Sequence, residues 1–361
     1  MGLSLLLSLT AVFSFYHLLP VFLSDLGFSE KSLGYFYTVF LFSYNFGQLA
    51  GGLFLRRISP RTLYALSTFL VALALFIISF LKSRILIVFV LFIVYFLWGV
   101  QLPPQGVIVH DAEEDAMRGF SQIEFFALIG ILIGPFFGYA LLKYLSLTSV
   151  IFVAAIIEVV VSVLRYLVKT QGEVPQNKVR FPKLTREVLI ITAFVSLSFF
   201  VFYSTADGPF IPSIMKEVLG LNMRSISLVF GISTLVSIAF IPIFYALAHR
   251  FGMWLVMGLS VVFHGLLIYL WSLNFSALFI LVFAFVSLQP VYTYFMPVVM
   301  ENVSLSERGG AVGLVGFVSG TIGSISPMLL SYSKNPFFYA FLVSLLASII
   351  VLLYPLRHKG F

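Results

Sequence analysis

The 361-residue chain is 61% hydrophobic, 17% aromatic and only 10% charged, with a mean hydropathy of +1.09, far from a soluble composition with roughly a quarter of its residues charged. About twelve spans of ~20 residues would use ~250 positions and leave short loops, with no room for a soluble catalytic or nucleotide-binding domain. The net charge of +7 sits in short loops and is no sign of nucleic-acid binding. The absence of cysteine excludes disulfides and thiolate chemistry.

Charged or Gly/Pro-rich breaks cut the chain into apolar runs long enough to span a bilayer as helices. In the first half they are Leu3 to Leu23, Leu33 to Leu55, Leu63 to Leu81, Ile85 to Gln105, Gly119 to Leu142 and Thr148 to Val168. In the second they are Val188 to Pro212, Ile226 to Ala248, Met253 to Leu273, Ala277 to Pro297, Gly310 to Ser331 and Pro336 to Leu356. MGLSLLLSLT lacks a basic region and a small-residue cleavage site, so it reads as the start of the first span. With both termini on the cytoplasmic side of the cell membrane, fourteen of the 21 lysines and arginines fall inside, as the positive-inside rule expects. The polar stretch 170–186 reads as a cytoplasmic linker between two halves, 1–169 and 187–361.

Laid on the first half at an offset of about 190 residues, the second half repeats it. Pro20 falls on Pro212 and Gly27 on Gly220. The loop after each half's second span pairs LFLRRIS (53–59) with ALAHRFG (246–252), and the loop before each fifth span pairs Asp111 with Glu301 and Arg118 with Arg308. A duplicated half is the sequence trace of many secondary transporters.

These loops also carry a family likeness. Gly52-Leu53-Phe54-Leu55-Arg56-Arg57-Ile58-Ser59-Pro60-Arg61 resembles the G-x-L-A-D-R-F-G-R-R signature of the major facilitator superfamily, as does Tyr245-Ala246-Leu247-Ala248-His249-Arg250-Phe251-Gly252. Both copies depart from it: Arg56 and His249 stand where the family has Asp, and Ser59 where it has Gly. Gly130, Gly134, Pro135 and Gly138 match the fifth-span pattern G-x-x-x-G-P-x-x-G. The resemblance covers essentially the whole chain. It implies an all-α membrane protein of twelve transmembrane helices in two pseudo-symmetric six-helix bundles, working by alternating access on a small-molecule substrate. No bound cofactor, nucleic acid or obligatory protein partner is implied; the lipid bilayer is the partner and a proton or sodium gradient the energy source.

By the same resemblance Arg57 and Arg61 with Asp111, and Arg250 with Glu301, form a cytoplasmic gate in which Arg118 and Arg308 brace the fifth spans. Arg56 in place of an acid requires different wiring in the first half, and plain topology-setting charge explains the same arginines. The fifth-span motif is associated with antiporters, while helix packing accounts for its glycines equally well.

Polar groups within spans are candidates for substrate or proton chemistry. Four occur in one half only: His17, Asp207, Glu124 and Glu158. His17 and Asp207 lie just before Pro20 and Pro212, and Asp207-Gly208-Pro209 breaks a helix, so this pair is the proton-coupling candidate. Asp207 as a helix cap and His17 bonded to a carbonyl is the competing structural reading. Glu158 shares a helix stripe with Arg165, Glu124 lies near the gate, and His264 reads as a packing histidine. Asn45, Gln48, Tyr95, Trp98, Gln101, Tyr203, Gln289 and Tyr292, with Tyr16 and Tyr294, complete the cavity set. Aromatics with amides suit either a sugar or an amphipathic drug-like compound. Proton-coupled export of a small amphipathic or weakly cationic compound is the leading expectation, with uptake of a sugar or other neutral metabolite as the alternative and a non-transporting sensor as a rival of another class. No carboxylate dyad, HExxH or nucleophile elbow suggests an enzyme.

Overall fold

In a bilayer every backbone polar group needs an internal partner, and helices provide it. The computed structural model describes residues 1–55, 57–112, 116–168, 185–304 and 308–354, with side chains left undescribed at 110–121 and 308–309. All its regular elements are helical. The first half contains α1 (Gly2–Phe13), a 3-10 turn (Tyr16–Leu18), α2 (Leu19–Asp25), α3 (Glu30–Phe54), α4 (Pro60–Phe80), α5 (Arg84–Ala112), α6 (Ala116–Leu141) and α7 (Leu147–Tyr166). The second contains α8 (Arg186–Ser204), α9 (Phe210–Glu217), α10 (Met223–Phe251), α11 (Met253–Leu273), α12 (Leu278–Val286), α13 (Gln289–Glu301), α14 (Arg308–Gly323), α15 (Ser326–Leu330) and α16 (Pro336–Leu353).

Eleven spans among the described residues are long and apolar enough to cross a membrane, some of them made of two consecutive helices. α3 completes the twelve: its 25 residues rise ~37 Å, and its tyrosines, Asn45 and Gln48 make it the more polar one. Short polar side chains start the helices where the apolar runs begin. Ser59, Ser146, Thr185 and Asn335 each accept the N–H three residues on, and Pro60 and Pro336 supply preset first turns. Where the second-half loop has Gly252, the chain enters α11 through φ +92°, a conformation glycine adopts freely. Ser59, at the matching place, enters α4 through ordinary extended backbone. The loop signature therefore dispenses with glycine in the first half.

The chain forms two compact units. One comprises Met1–Phe28, Val39–Gln176 and Leu221–Gly231; the other comprises Ser29–Thr38, Asn177–Gly220 and Ile232–Phe361. Residues 170–184 of the expected linker lie outside the described residues. In the first unit glycines let backbones meet. A Cβ on Gly130 would stand 2.7 Å from Leu6 O and one on Gly134 2.5 Å from Phe13 Cβ, while Gly138 abuts Ser14 O, so the fifth-span motif forms the seam between α6 and α1. Gly47, Gly51 and Gly99 do the same between α3 and α5. In the second unit Gly323 packs on Phe199 of α8, and Gly258 and Gly265 pack on Val351 and Ser344 of α16.

Candidate functional site

The first span is not one helix. Phe15 N–H bonds to Val12 O (3.2 Å), one residue short of its α-helical partner, so Ala11 O loses its donor and Ser14 Oγ takes its place at 2.6 Å. The seventh span ends α8 in the same way. Thr205 N–H turns to Phe202 O (3.1 Å), and the orphaned Val201 O is capped by Ser204 Oγ (2.9 Å), with Thr205 Oγ1 also near it at 2.7 Å. Leu18 N–H then bonds to Phe15 O and Gly208 N–H to Thr205 O. Ala11, Ser14, Phe15 and His17 thus match Val201, Ser204, Thr205 and Asp207 at one offset of 190 residues. Each break leads into a short helix carrying Pro20 or Pro212 and ending near a glycine of positive φ, Gly27 (87°) or Gly220 (63°). His17 and Asp207 therefore occupy the same register of the same break.

Their surroundings differ. In the first unit His17 is 6% exposed, and its Nε2 lies 3.0 Å from Ser227 Oγ. Ser227 donates its hydroxyl proton to Pro135 O at 2.8 Å, which leaves His17 Nε2 as the donor to Ser227. Phe230 packs on the imidazole, 4.7 Å between ring centroids. Nearby, Tyr16, Tyr95 and Trp98 form an aromatic group with centroids 5.1–6.1 Å apart, and Phe40 stacks on Tyr95 at 5.0 Å.

In the second unit Asp207 Oδ2 accepts a 2.7 Å hydrogen bond from Tyr292 Oη. The Tyr292 ring lies 5.3 Å from Phe202 and 6.4 Å from Phe199, on which Tyr203 stacks at 5.5 Å. A half-buried carboxylate among aromatic faces offers a cation both charge and π-electron density. Gln289 opens α13 one turn before Tyr292.

Other candidates lie apart from the breaks. Glu158 and Arg165, each 1% exposed, belong to a buried network inside the first unit. Glu158 Oε1 accepts from Ser8 (2.6 Å); Arg165 Nη1 donates to Gln101 Oε1 (2.8 Å) and to Thr68 Oγ1. Its guanidinium covers the Tyr64 ring at 3.9 Å, and Tyr64 Oη bonds to Gln105 Oε1 (3.1 Å). Gln101 is thus held by Arg165. Asn45 donates to Leu41 O (2.8 Å), and Gln48 reaches Asn45 Oδ1 (3.4 Å). Glu124 is exposed on α6.

Of the gate residues, Arg56 lies outside the described residues, as do the side chains of Asp111, Arg118 and Arg308. Arg57, His249 and Arg250 are exposed. Arg61 covers the Tyr166 ring at 4.9 Å and Arg250 the Phe251 ring at 5.2 Å, while Glu301 ends α13. Sequence reasoning passed over the hydroxyls that build the breaks, Ser14, Ser204, Thr205 and Ser227. The pairing of Ser14 with Ser204 at the offset of the repeat is the signal that marks them.

The sequence profile of the Major Facilitator Superfamily matches residues 1–327. No curated protein matches the chain. Among solved structures, the nucleoside transporter NupG is similar at TM-score 0.74 and 18% identity, over 98% of this chain and 96% of its own. A variant of the peptide transporter POT gives 0.76 at 14% identity, over 98% and 93%. A bacterial homologue of the human lysosomal transporter Spinster gives 0.67 at 12%, over 98% and 93%. At such identities the likeness is one of fold. With its all-α membrane architecture and 327 of its 361 residues within the profile, the chain belongs to the major facilitator superfamily.

Proposed function

We propose that this transporter exports a small amphipathic or weakly cationic, drug-like compound in exchange for protons, with His17 and Asp207 as the coupling pair. One observation supports the reading above the rest: a base and an acid stand at the same register of the same helix break in the two repeats. Imidazole and carboxyl groups take up and release protons, and unwound backbone at membrane depth is characteristic of a transporter's binding region. Asp207 with Phe199, Phe202, Tyr203 and Tyr292 suits a cationic, apolar compound. A cycle in which substrate and proton compete for the same carboxylate produces exchange, because the site returns inward loaded with whichever is abundant outside.

Uptake of a sugar or other neutral metabolite is the second reading. It draws on the aromatic group of Tyr16, Tyr95 and Trp98, which suits stacking against a ring, and on a fold shared with a nucleoside transporter.

The test is the current evoked on a solid-supported membrane by a panel of organic cations and sugars under an imposed pH gradient, using purified protein in vesicles. The expected result is a cation-evoked, gradient-dependent current that Asp207→Asn reduces at least ~100-fold, the order seen when one acid–base group is lost. A full current in Asp207→Asn rejects the coupling role, and a response to sugars alone favours the second reading. Labelled-substrate flux separates a sensor, which binds without moving its ligand, from electroneutral transport.

A further inference from the structure

We infer that His264, which reads as a packing histidine in the sequence, is a positioning residue that fastens the two helix breaks of the second unit to each other and so sets the Asp207–Tyr292 pair. The inference rests on the reading of Asp207 as the coupling carboxylate.

The tenth span breaks between α12 and α13. Leu288 N–H turns to Phe285 O (3.2 Å), and Ala284 O, its α-helical partner, is left over. Two side chains serve that oxygen: Ser287 Oγ at 2.6 Å and His264 Nδ1 at 2.8 Å. A carbonyl only accepts, so Nδ1 carries the hydrogen. The neutral ring then presents Nε2 as an acceptor for the single hydroxyl proton of Thr205, whose Oγ1 stands 2.8 Å away, and Val201 O keeps Ser204 Oγ as its donor. Thr205 is the residue whose N–H turned away from Val201 O to end α8. One fully buried imidazole thus joins the carbonyl released by one break to a hydroxyl at the other.

Both breaks lead directly to the pair. Thr205 lies two residues before Asp207, whose N–H donates to Phe202 O at 3.0 Å. The Phe202 ring stands edge-on to His264 at 5.8 Å and lies 5.3 Å from the Tyr292 ring. Tyr292 is in the first turn of α13, just after the break that releases Ala284 O. Without the imidazole the two unwound stretches would keep their own hydroxyl caps and lose the tie between them.

The chain has no cysteine, so Ala206→Cys places a single thiol beside Asp207. Its alkylation by N-ethylmaleimide, measured in the full-length reconstituted protein, reads the opening of this stretch. Thr205→Val keeps the shape and removes the hydroxyl, Thr205→Ser keeps the hydroxyl, and His264→Asn keeps a donor near Ala284 O and gives up the reach to Thr205. The expected result is a rate about fivefold higher with Thr205→Val and His264→Asn, the change in opening that one net hydrogen bond confers, and within about twofold of the Ala206→Cys parent with Thr205→Ser. An unchanged rate with Thr205→Val overturns the inference, as does a Thr205→Ser rate equal to that of Thr205→Val, which would make methyl packing the cause. Should His264→Asn not fold, the two Thr205 variants decide. The alkylation rate reads the pin and the Asp207→Asn current reads the coupling, so either can fail alone.

Discussion

Arg165 is a guanidinium with 1% of its surface exposed, in a bundle whose surroundings are apolar. It is tolerable there because Gln101, Thr68 and the Tyr64 ring replace water, and Glu158 supplies opposite charge on the same helix. The two lie seven residues apart on this helix and act on each other through space, so removing Arg165 leaves the Glu158 carboxyl buried without its cation, whereas removing both takes that penalty away. Arg165→Met is therefore expected to destabilise the detergent-purified protein by about 3 kcal/mol, with Arg165→Met plus Glu158→Leu recovering most of it in thermal unfolding. Equal losses in the single and double variants would deny the compensation. A similar argument applies to Gly252 at φ +92°: Gly252→Ala is expected to cost about 1–2 kcal/mol. Ser59→Ala, at the matching position, loses a helix cap worth about 1 kcal/mol.

Helix pairs in a membrane gain little from hydrophobicity and depend on close approach. The seam of α6 on α1 is such a case, with Gly130, Gly134 and Gly138 facing the backbone or Cβ atoms of Leu6, Phe13 and Ser14. Gly134→Val is expected to part this seam, costing about 1–3 kcal/mol and lowering transport, while Gly52→Val, where a Cβ meets nothing within 4 Å, leaves both unchanged. The apolar runs and the glycine motif made these elements legible from sequence. The break at Asp207-Gly208-Pro209 was legible as well, since Gly and Pro announce it. The break at Ser14 was not: it carries no glycine or proline of its own, and a serine capping a carbonyl looks like any serine in a span. His264 escaped for a related reason. Its partners, Thr205 and Ala284 O, lie 59 and 20 residues away, and a freed carbonyl has no signature in the amino-acid code.

At the scale of the whole molecule, the repeat and the loop motifs identified the family because they recur in order along the chain, which no single motif does. The first-half gate pairing rests on the Asp111 side chain, which lies outside the described residues. Charge distribution adds a testable orientation. In the cysteine-free chain, Lys143→Cys and Lys216→Cys are expected to react with an impermeant maleimide on intact cells, and Arg57→Cys and Arg250→Cys only after permeabilisation; the opposite pattern would invert the topology. The two matching breaks bear on how such a protein diversifies. Backbone turns and serine hydroxyls cap the carbonyl that each break releases, so that capping does not depend on the side chain at position 17 or 207, which works as an interchangeable fitting in a fixed socket. After the gene segment doubled, one socket could come to hold an imidazole and the other a carboxylate without either bend being rebuilt. On the function proposed for this pair, new cargo is then reachable through single codon changes at these two places while the scaffold stays the same.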